Sequence, residues 1–229
     1  MTSRALNFQI SRDDKVETRP IALNTAIIAG WTGRDAVARD KHIAELEALG
    51  VARPASTPIH YRVSNTLLTT ADEIEVVGEN SSGEVEFVLL RENGRIWLGA
   101  GSDHTDRKVE TYNVTISKQL CEKPMSPELW DFEDVAQHWD RLQMRSWIEE
   151  GGKDVLYQEG SVAAILPPQD IIAKAPAGTW TDGAAMFCGT FPAKGGIRPS
   201  SRFTFELSDP VRGKRIRHSY SIVALPNAG

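Results

Sequence analysis

Residues 81–90 read Ser-Ser-Gly-Glu-Val-Glu-Phe-Val-Leu-Leu, and they carry both a structural and a chemical signal. The small turn residues at the start and the apolar, β-branched run that follows are typical of a strand and the turn before it. Residues two apart in a strand share a face, so Glu84 and Glu86 are predicted to point the same way, about 7 Å apart at their Cα atoms. The alternate positions are predicted to face a core: Val85, Phe87 and Leu89.

Short apolar runs of the same kind continue on both sides of this stretch, separated by Gly, Pro, Asn and Asp. They predict strands over residues 21–30, 59–63, 74–77, 85–90, 96–98, 162–166, 184–188, 203–207 and 216–223. Only two segments have helix-forming character, residues 34–49 and 132–147. Many short strands with few helices predict a mainly β or α+β protein with rolled, mixed β-sheets.

The bulk properties limit the classes of protein to consider. The 229 residues suit a single domain over residues 1–229, with residues 1–65 as an appended lid or subdomain. A net charge of −5 argues against nucleic acid or an anionic membrane as a partner. We expect neither a secretory signal nor a membrane span, because no apolar run approaches about 20 residues. Cys121 and Cys188 lie far apart without a CxxC pattern, so we expect a cytoplasmic protein without a disulfide framework.

Carboxylates are the main chemical signal. Two like charges on one strand face repel, and a hard cation would turn that repulsion into attraction. Asp103 follows a small-residue turn at the end of an apolar run and could supply a third carboxylate, while Arg107 could bind a substrate carboxylate with two hydrogen bonds. Taken one at a time, the same features would also suit a solvent-facing strand edge and an ordinary charged turn.

A third segment, residues 189–196, reads Gly-Thr-Phe-Pro-Ala-Lys-Gly-Gly directly after a predicted strand. Its backbone amides and the hydroxyl of Thr190 could gather around an anion. A hairpin turn without a ligand is the alternative, and the segment by itself favours that alternative.

In order along the chain, these segments resemble the motifs of the fumarylacetoacetate hydrolase superfamily. Glu84-Val85-Glu86 resembles the Glu-x-Glu of that family. Asp103 and Arg107 fall at the spacing of its Asp-x-x-x-Arg-x-x-Gln segment, with Glu110 in place of the glutamine. The resemblance extends from about residue 27 to residue 223 and is closest to a compact, divergent branch among bacterial families of unknown function.

Weaker elements of the resemblance lie on either side. Ser117-Lys118 resembles a Lys-Ser-type segment, and residues 189–195 resemble the family's Gly-Thr-Pro-x-Gly turn. His42 and Glu45 match a helical His-x-x-Glu of the hydrolytic members, and Arg62 takes the place of a lysine in a following loop.

The resemblance implies a cofactor and a set of site residues. Glu84, Glu86 and Asp103 would hold Mg²⁺ or Mn²⁺, with Ca²⁺ as the ion that could replace them in a crystal, since all-oxygen ligands suit hard cations better than zinc. Four residues would contact substrate: Arg62, Arg107, Glu110 and Thr190. Three would be catalytic, with Glu45 orienting a water-activating His42 and Lys118 stabilising oxyanion charge: His42, Glu45 and Lys118.

The activity that the resemblance implies is hydrolysis of a C–C bond in a 2,4-dioxo acid of the acylpyruvate or fumarylacetoacetate type, through a metal-bound enolate. A lyase of the same fold, either a 2-oxo acid decarboxylase or a hydratase or dehydratase of a 2-oxo-3-deoxy acid, needs the same enolate and is the first alternative. A non-catalytic protein that binds a small carboxylate is the second. In each case the partner is a small 2-oxo or dioxo acid, and the family resemblance implies a homodimer.

Overall fold

The computed structural model describes residues 3–13, 15–48 and 53–228. Strands provide most of the regular structure. In chain order they are β1 (Arg4–Arg12), β2 (Lys15–Leu23), β3 (Thr25–Gly30), β4 (Ile59–Val63), β5 (Leu68–Thr69), β6 (Glu73–Val77), β7 (Ser81–Ser82), β8 (Val85–Glu92), β9 (Arg95–Ser102), β10 (Thr105–Asp106), β11 (Lys123–Pro124), β12 (Glu128–Asp131), β13 (Gln143–Glu150), β14 (Lys153–Ser161), β15 (Ala184–Phe187), β16 (Arg202–Asp209) and β17 (Lys214–Leu225).

The α-helices of the described residues are few and mostly short: α1 (Ala36–Ala48), α2 (Arg107–Glu110), α3 (Val114–Gln119), α4 (Glu133–Ala136) and α5 (Pro168–Ala173). Single 3₁₀ turns cover Asn65–Leu67, Trp139–Arg141 and Val162–Ala164. Within the described ranges, no helix combines the length and the apolar character that crossing a membrane requires.

Two large sheets form the body of the protein. One has eight strands in the order β2-β1-β12-β9-β8-β15-β3-β4, and the other has five in the order β14-β13-β16-β17-β6. The large sheet is mixed, because β1 pairs with β12 and β3 with β15 in parallel while its other pairs are antiparallel. The expectation of a mainly β or α+β fold with mixed sheets is confirmed.

The eight-stranded sheet is rolled so that its two edges approach each other. Asn65, just beyond edge strand β4, donates a 3.0 Å hydrogen bond to the carbonyl of Leu23 at the end of edge strand β2. Arg4 of β1 donates to the carbonyl of Thr66 at the same place. Strands β1 to β4 all belong to this rolled sheet. The separate role of residues 1–65 as a lid or subdomain stays a prediction.

Strand β8 is buried on both faces, which explains its nearly continuous apolar sequence. Phe87 and Leu89 face a core that also contains Phe205 and Tyr220 of the five-stranded sheet. Val88 and Leu90 face the inside of the rolled sheet. Glu84 and Glu86 are an even number of residues from Val88 and Leu90, so their side chains lie on the same face, at one end of the rolled sheet.

Two secondary-structure predictions were wrong. Residues 132–147 are not one helix: the helical part stops after short turns, and β13 begins at Gln143 because Met144, Ser146 and Ile148 are buried alternately, with the period of a strand. Residues 162–166 do not form a strand, because the Ser161 hydroxyl accepts from the amide of Ala163 and caps a 3₁₀ turn.

Two others were correct in outline. The run 21–30 is extended but divides at Asn24 into β2 and β3. The helix predicted over residues 34–49 is present as α1, and its predicted end at Leu49 lies outside the described residues.

Candidate metal centre

The carboxylates of Glu84, Glu86 and Asp103 meet at one end of the rolled sheet. Antiparallel pairing of β8 with β9 sets Glu86 opposite Gly101 and Val85 opposite Ser102. The amide of Asp103 donates a 3.0 Å hydrogen bond to the carbonyl of Glu84, which continues this pairing past the strand ends. One carboxylate oxygen of each acid lies within 4.8 Å of the others. Adjacent strands therefore bring together the three acids that the sequence pattern singled out.

The three acids have unequal electrostatic environments. Burial raises the pKa of Glu86 well above its usual range, and the carboxylates of Asp103 and Glu84 raise it further. Burial also raises the pKa of Glu84, against the opposing effect of Arg107. Burial acts in the same direction on Asp103, but the ammonium groups of Lys118 and Lys123 outweigh it and lower the pKa of Asp103 to about 2.

Two lysines contact Asp103 from different elements. The Nζ atom of Lys118, on α3, donates to Oδ2 of Asp103. The Nζ atom of Lys123, on β11, lies 3.2 Å from Oδ1 and donates to the carbonyl of His104. Burial lowers the pKa of Lys123, whereas for Lys118 the effect of burial is exceeded by the attraction of Asp103 and Glu84, which raises its pKa.

Lys123 is a site residue that the sequence reasoning missed. It is fully buried, and its partner Asp103 is a candidate metal ligand. Nothing in its spacing distinguishes it from Lys118, which was chosen by motif resemblance. The parallel pairing of β11 with β5 and the bridge between Met125 and Gly101 of β9 bring Lys123 beside Asp103, and neither contact leaves a local pattern in the sequence.

Arg107 joins Glu84 to Glu110 at the edge of the cluster. Its Nη2 lies 3.2 Å from Glu84 Oε1, and its Nη1 donates at 2.9 Å to Glu110 Oε2. The Nε atom donates at 2.7 Å to the hydroxyl of Ser82. The short helix α2 presents Arg107 and Glu110 three residues apart on one side, after Asp106 caps its start through the amide of Val109.

The loop after β15 completes the surroundings of Glu86. The amide of Gly189 donates a 2.7 Å hydrogen bond to Glu86 Oε2. The buried amide side chain of Gln158 accepts from the backbone of Val85 at 2.9 Å and donates to the Thr190 hydroxyl at 2.8 Å. Gln158 therefore links the start of β8 to the loop that carries Thr190, the predicted substrate residue.

A series of buried hydrogen bonds supports the other side of the carboxylate cluster. His104 bridges the hydroxyls of Tyr220 and Ser81 at 2.8 Å each, and the Tyr220 hydroxyl donates to Ser102. The Ser102 hydroxyl in turn accepts from the amide of Glu84. Burial lowers the pKa of His104 to about 3, so the ring is neutral and acts as a hydrogen-bonding brace within this chain.

Arg62 is not brought to the cluster. It donates a 2.9 Å hydrogen bond to the carbonyl of Ala26, whereas the ring of Tyr61, the preceding residue, lies 5.8 Å from Nζ of Lys118. Adjacent residues on a strand point to opposite faces, so β4 presents Tyr61 rather than Arg62 to the site. Tyr61 is the aromatic neighbour of the site that motif matching overlooked.

The proposed catalytic pair lies on α1. Glu45 is 58% exposed, and its carboxylate lies 3.9 Å from the ammonium of Lys41. The backbone of His42 belongs to the helix, but its side chain lies outside the described residues. A catalytic role for His42 and Glu45 stays a prediction.

The cluster suits a hard divalent cation. All three candidate ligands are carboxylates, the donors that Mg²⁺ and Mn²⁺ prefer. Oδ1 of Asp103 is buried and accepts no hydrogen bond, despite the nearby Lys123 ammonium. A buried polar atom without a hydrogen bond is costly unless a ligand satisfies it, so this oxygen fits coordination of an ion.

Gly189 is predicted to be essential to the loop. Its φ is 111°, and an added Cβ would lie 1.9 Å from the Thr32 hydroxyl. We expect Gly189→Ala to lower the free energy of unfolding by about 3 kcal/mol and to weaken Mn²⁺ binding, because the amide that donates to Glu86 must move. Urea denaturation and calorimetric titration with Mn²⁺ would measure these two effects.

Gly196→Ala is the matched control for that substitution. Its φ of 87° is also positive, but no atom lies within 4 Å of the added Cβ. We expect it to cost about 1 kcal/mol and to leave Mn²⁺ binding intact. Equal effects of the two substitutions would mean that the contact with Thr32 does not matter.

Comparisons with known proteins agree with the fold. Residues 29–220 match the family described as "Protein of unknown function (DUF2848)". No curated protein matches the sequence. Among solved structures, a proposed fumarylacetoacetate isomerase/hydrolase from Oleispira antarctica is similar with a TM-score of 0.67 at 16% identity, over 94% of this chain and 99% of that one.

Two further solved structures are similar over nearly the whole chain. A proposed fumarylpyruvate hydrolase from Burkholderia cenocepacia has a TM-score of 0.63 at 16% identity, over 99% of this chain and 98% of that one. A 2-keto-3-deoxy-D-arabinonate dehydratase complexed with magnesium and 2,5-dioxopentanoate has a TM-score of 0.64 at 15% identity, over 95% of this chain and 79% of that one. The chain has the fumarylacetoacetate hydrolase fold and belongs to the DUF2848 family.

Proposed function

We propose that this protein is a divalent-metal-dependent enzyme that hydrolyses a C–C bond in a small 2,4-dioxo acid of the acylpyruvate or fumarylacetoacetate type. The observation that carries the proposal is the meeting of three carboxylates within 4.8 Å, one of them with a buried oxygen that accepts no hydrogen bond. The fold supports it, because similar folds occur in proteins described as hydrolases and as a magnesium-containing dehydratase.

Glu84, Glu86 and Asp103 would hold Mg²⁺ or Mn²⁺. The ion would supply Lewis acidity toward the oxygens of a 2-oxo acid. Lys118 would stabilise negative charge on the ligand, since its ammonium is already within the cluster, in contact with Asp103 and 5.8 Å from the Tyr61 ring. His42 would take a proton from water, and Glu45 would orient its ring.

A lyase of the same fold is the second candidate. A dehydratase or decarboxylase needs no base-activated water, so it would not depend on His42 and Glu45. The dehydratase with a similar fold also has magnesium and a dioxo acid in its structure. His42→Ala separates the two candidates: hydrolysis should lose about a hundredfold or more in kcat, and a lyase reaction should not.

The proposal is tested by assaying Mn²⁺-loaded protein against a panel of 2-oxo and 2,4-dioxo acids. The loss of enol absorbance monitors turnover. We expect turnover that chelation abolishes and that Glu84→Ala reduces together with Mn²⁺ affinity. A non-catalytic carboxylate-binding protein would instead keep its ligand in Glu84→Ala and turn over none of the acids. We also predict that the protein is cytoplasmic and that it forms a homodimer.

A further inference from the structure

The cluster is closed at one end and open at the other. Side-chain exposure falls from 29% at Glu110 and 19% at Glu84 to 8% at Lys118 and 0% at Asp103. Arg107 bridges the two most exposed acids, at 2.9 Å from Glu110 and 3.2 Å from Glu84. A molecule that enters from solvent toward Glu84 therefore meets the carboxylate of Glu110.

Arg107 has little capacity left for a ligand anion. Four of its five N–H groups already face an acceptor: Nε contacts Ser82 Oγ, Nη1 contacts Glu110, and Nη2 contacts both Glu84 and the Ser82 carbonyl. Its positive charge lies between two carboxylates. The guanidinium is therefore occupied in holding Glu84 and Glu110 and is poorly placed to receive a second carboxylate from a substrate.

The charges of the site favour one anionic group in the ligand. Among the described residues, four carboxylates act here against three cationic groups: Glu84, Glu86, Asp103 and Glu110 against Arg107, Lys118 and Lys123. One divalent cation would change the formal sum from −1 to +1, which a single carboxylate neutralises. A second carboxylate would make the sum negative again and would lie at the open end, where Glu110 is.

Resting on the proposed function, we infer that the site selects acids of the acylpyruvate type, with one carboxylate and an uncharged remainder, over those of the fumarylacetoacetate type, which have two. Glu110 is the residue that rejects the second carboxylate. Rejection by like charge is a common source of specificity, because anions that outnumber the cations near them repel without any clash of shape. Glu110 and Glu84 already share the single guanidinium of Arg107, which leaves no cation there for a third carboxylate. The position of Glu110 at the entrance makes it a specificity-determining residue, distinct from the three acids that would hold the ion.

Calorimetric titration of Mn²⁺-loaded protein with 2-oxovalerate and with 2-oxoglutarate tests this inference. The two acids have the same carbon chain length and differ by the terminal carboxylate. We expect the protein to bind 2-oxovalerate at least about tenfold more tightly. In Glu110→Gln this ratio should fall to about threefold or less through tighter binding of 2-oxoglutarate. Glu110→Asp keeps the charge and should keep the preference, as should the exposed control Glu79→Gln.

The outcomes separate the inference from the proposed function. Equal binding of both acids by the unmodified protein, or an unchanged ratio in Glu110→Gln, would overturn the inference and leave the metal-dependent activity standing. If Glu110→Gln lost binding of both acids with Mn²⁺ still bound, the role of Glu110 would be to hold Arg107 in place. That result would also overturn the inference. If neither acid bound the Mn²⁺-loaded unmodified protein, the inference would be overturned, and the turnover assay with 2,4-dioxo acids would decide the proposed function separately.

Discussion

Replacing Glu86 by glutamine is expected to weaken Mn²⁺ binding by about two orders of magnitude, since a charged ligand at the buried centre of the cluster becomes neutral. The same substitution should stabilise the metal-free protein. Burial and the neighbouring carboxylates raise the pKa of Glu86, so its ionised form costs folding free energy that a neutral amide does not. Calorimetric titration with Mn²⁺ and urea denaturation in the presence of EDTA would measure the two effects.

The sign of this effect follows from the direction of the pKa shift. At a pH below the ordinary pKa of a glutamate, Glu86 is protonated in both the folded and the unfolded protein. Glu86→Gln should then leave the free energy of unfolding unchanged. As pH rises, the unfolded chain releases the proton first, so the advantage of the variant in unfolding free energy should grow and reach about 1 kcal/mol or more near neutral pH. Glu79→Gln is an exposed control that should change neither quantity. An advantage that shrinks with rising pH would contradict the proposed environment of Glu86.

Replacing Lys123 by methionine is expected to lower the free energy of unfolding by about 3 kcal/mol. The substitution removes a fully buried ammonium that lies 3.2 Å from Asp103 and donates to the carbonyl of His104. Asp103 would keep only the contact with Lys118, and a buried carboxylate with fewer cationic neighbours is costly. Urea denaturation of the metal-free variant would measure the loss.

The exposed Lys108→Met is the matched control for Lys123→Met, with an expected change within about 0.5 kcal/mol. The double variant Asp103→Asn with Lys123→Met provides a further check, because removing both charges should recover part of the stability that the single change loses. A double variant that loses the full sum of the two single effects would show that the Lys123–Asp103 pair contributes no coupling.

The carboxylate pair could be predicted from the sequence because it depends only on local geometry. Glu84 and Glu86 share a face through the two-residue period of β8, and the alternate residues Val85 and Phe87 pack in the core. Asp103 is also nearly local, since it follows the strand that forms a hairpin with β8. The mainly β fold was predictable for a related reason. Short apolar runs bounded by turn residues indicate strands, whichever strands they later pair with.

The rest of the site depends on contacts between distant segments. Tyr61 reaches Lys118 because β4 lies at the edge of the rolled sheet beside α3, and Lys123 reaches Asp103 because β11 pairs with β5. Neither pairing has a signature in the sequence. The false helix over residues 132–147 has the same origin, since only the pairing of β13 with β14 and β16 distinguishes its second half from a helical segment.

The near-closure of the eight-stranded sheet has a consequence for self-association. A free strand edge presents a row of amide and carbonyl groups that can template addition of a strand from another molecule, which is a common route to aggregation. Where the two edges of the rolled sheet meet, Asn65 donates to the carbonyl of Leu23 at the end of β2, and the carbonyl of Thr66 accepts from Arg4 of β1. Residues beyond β4 therefore lie beside the end of β2. The roll thus shields the end of edge strand β2 near Leu23 from pairing with a strand of another molecule.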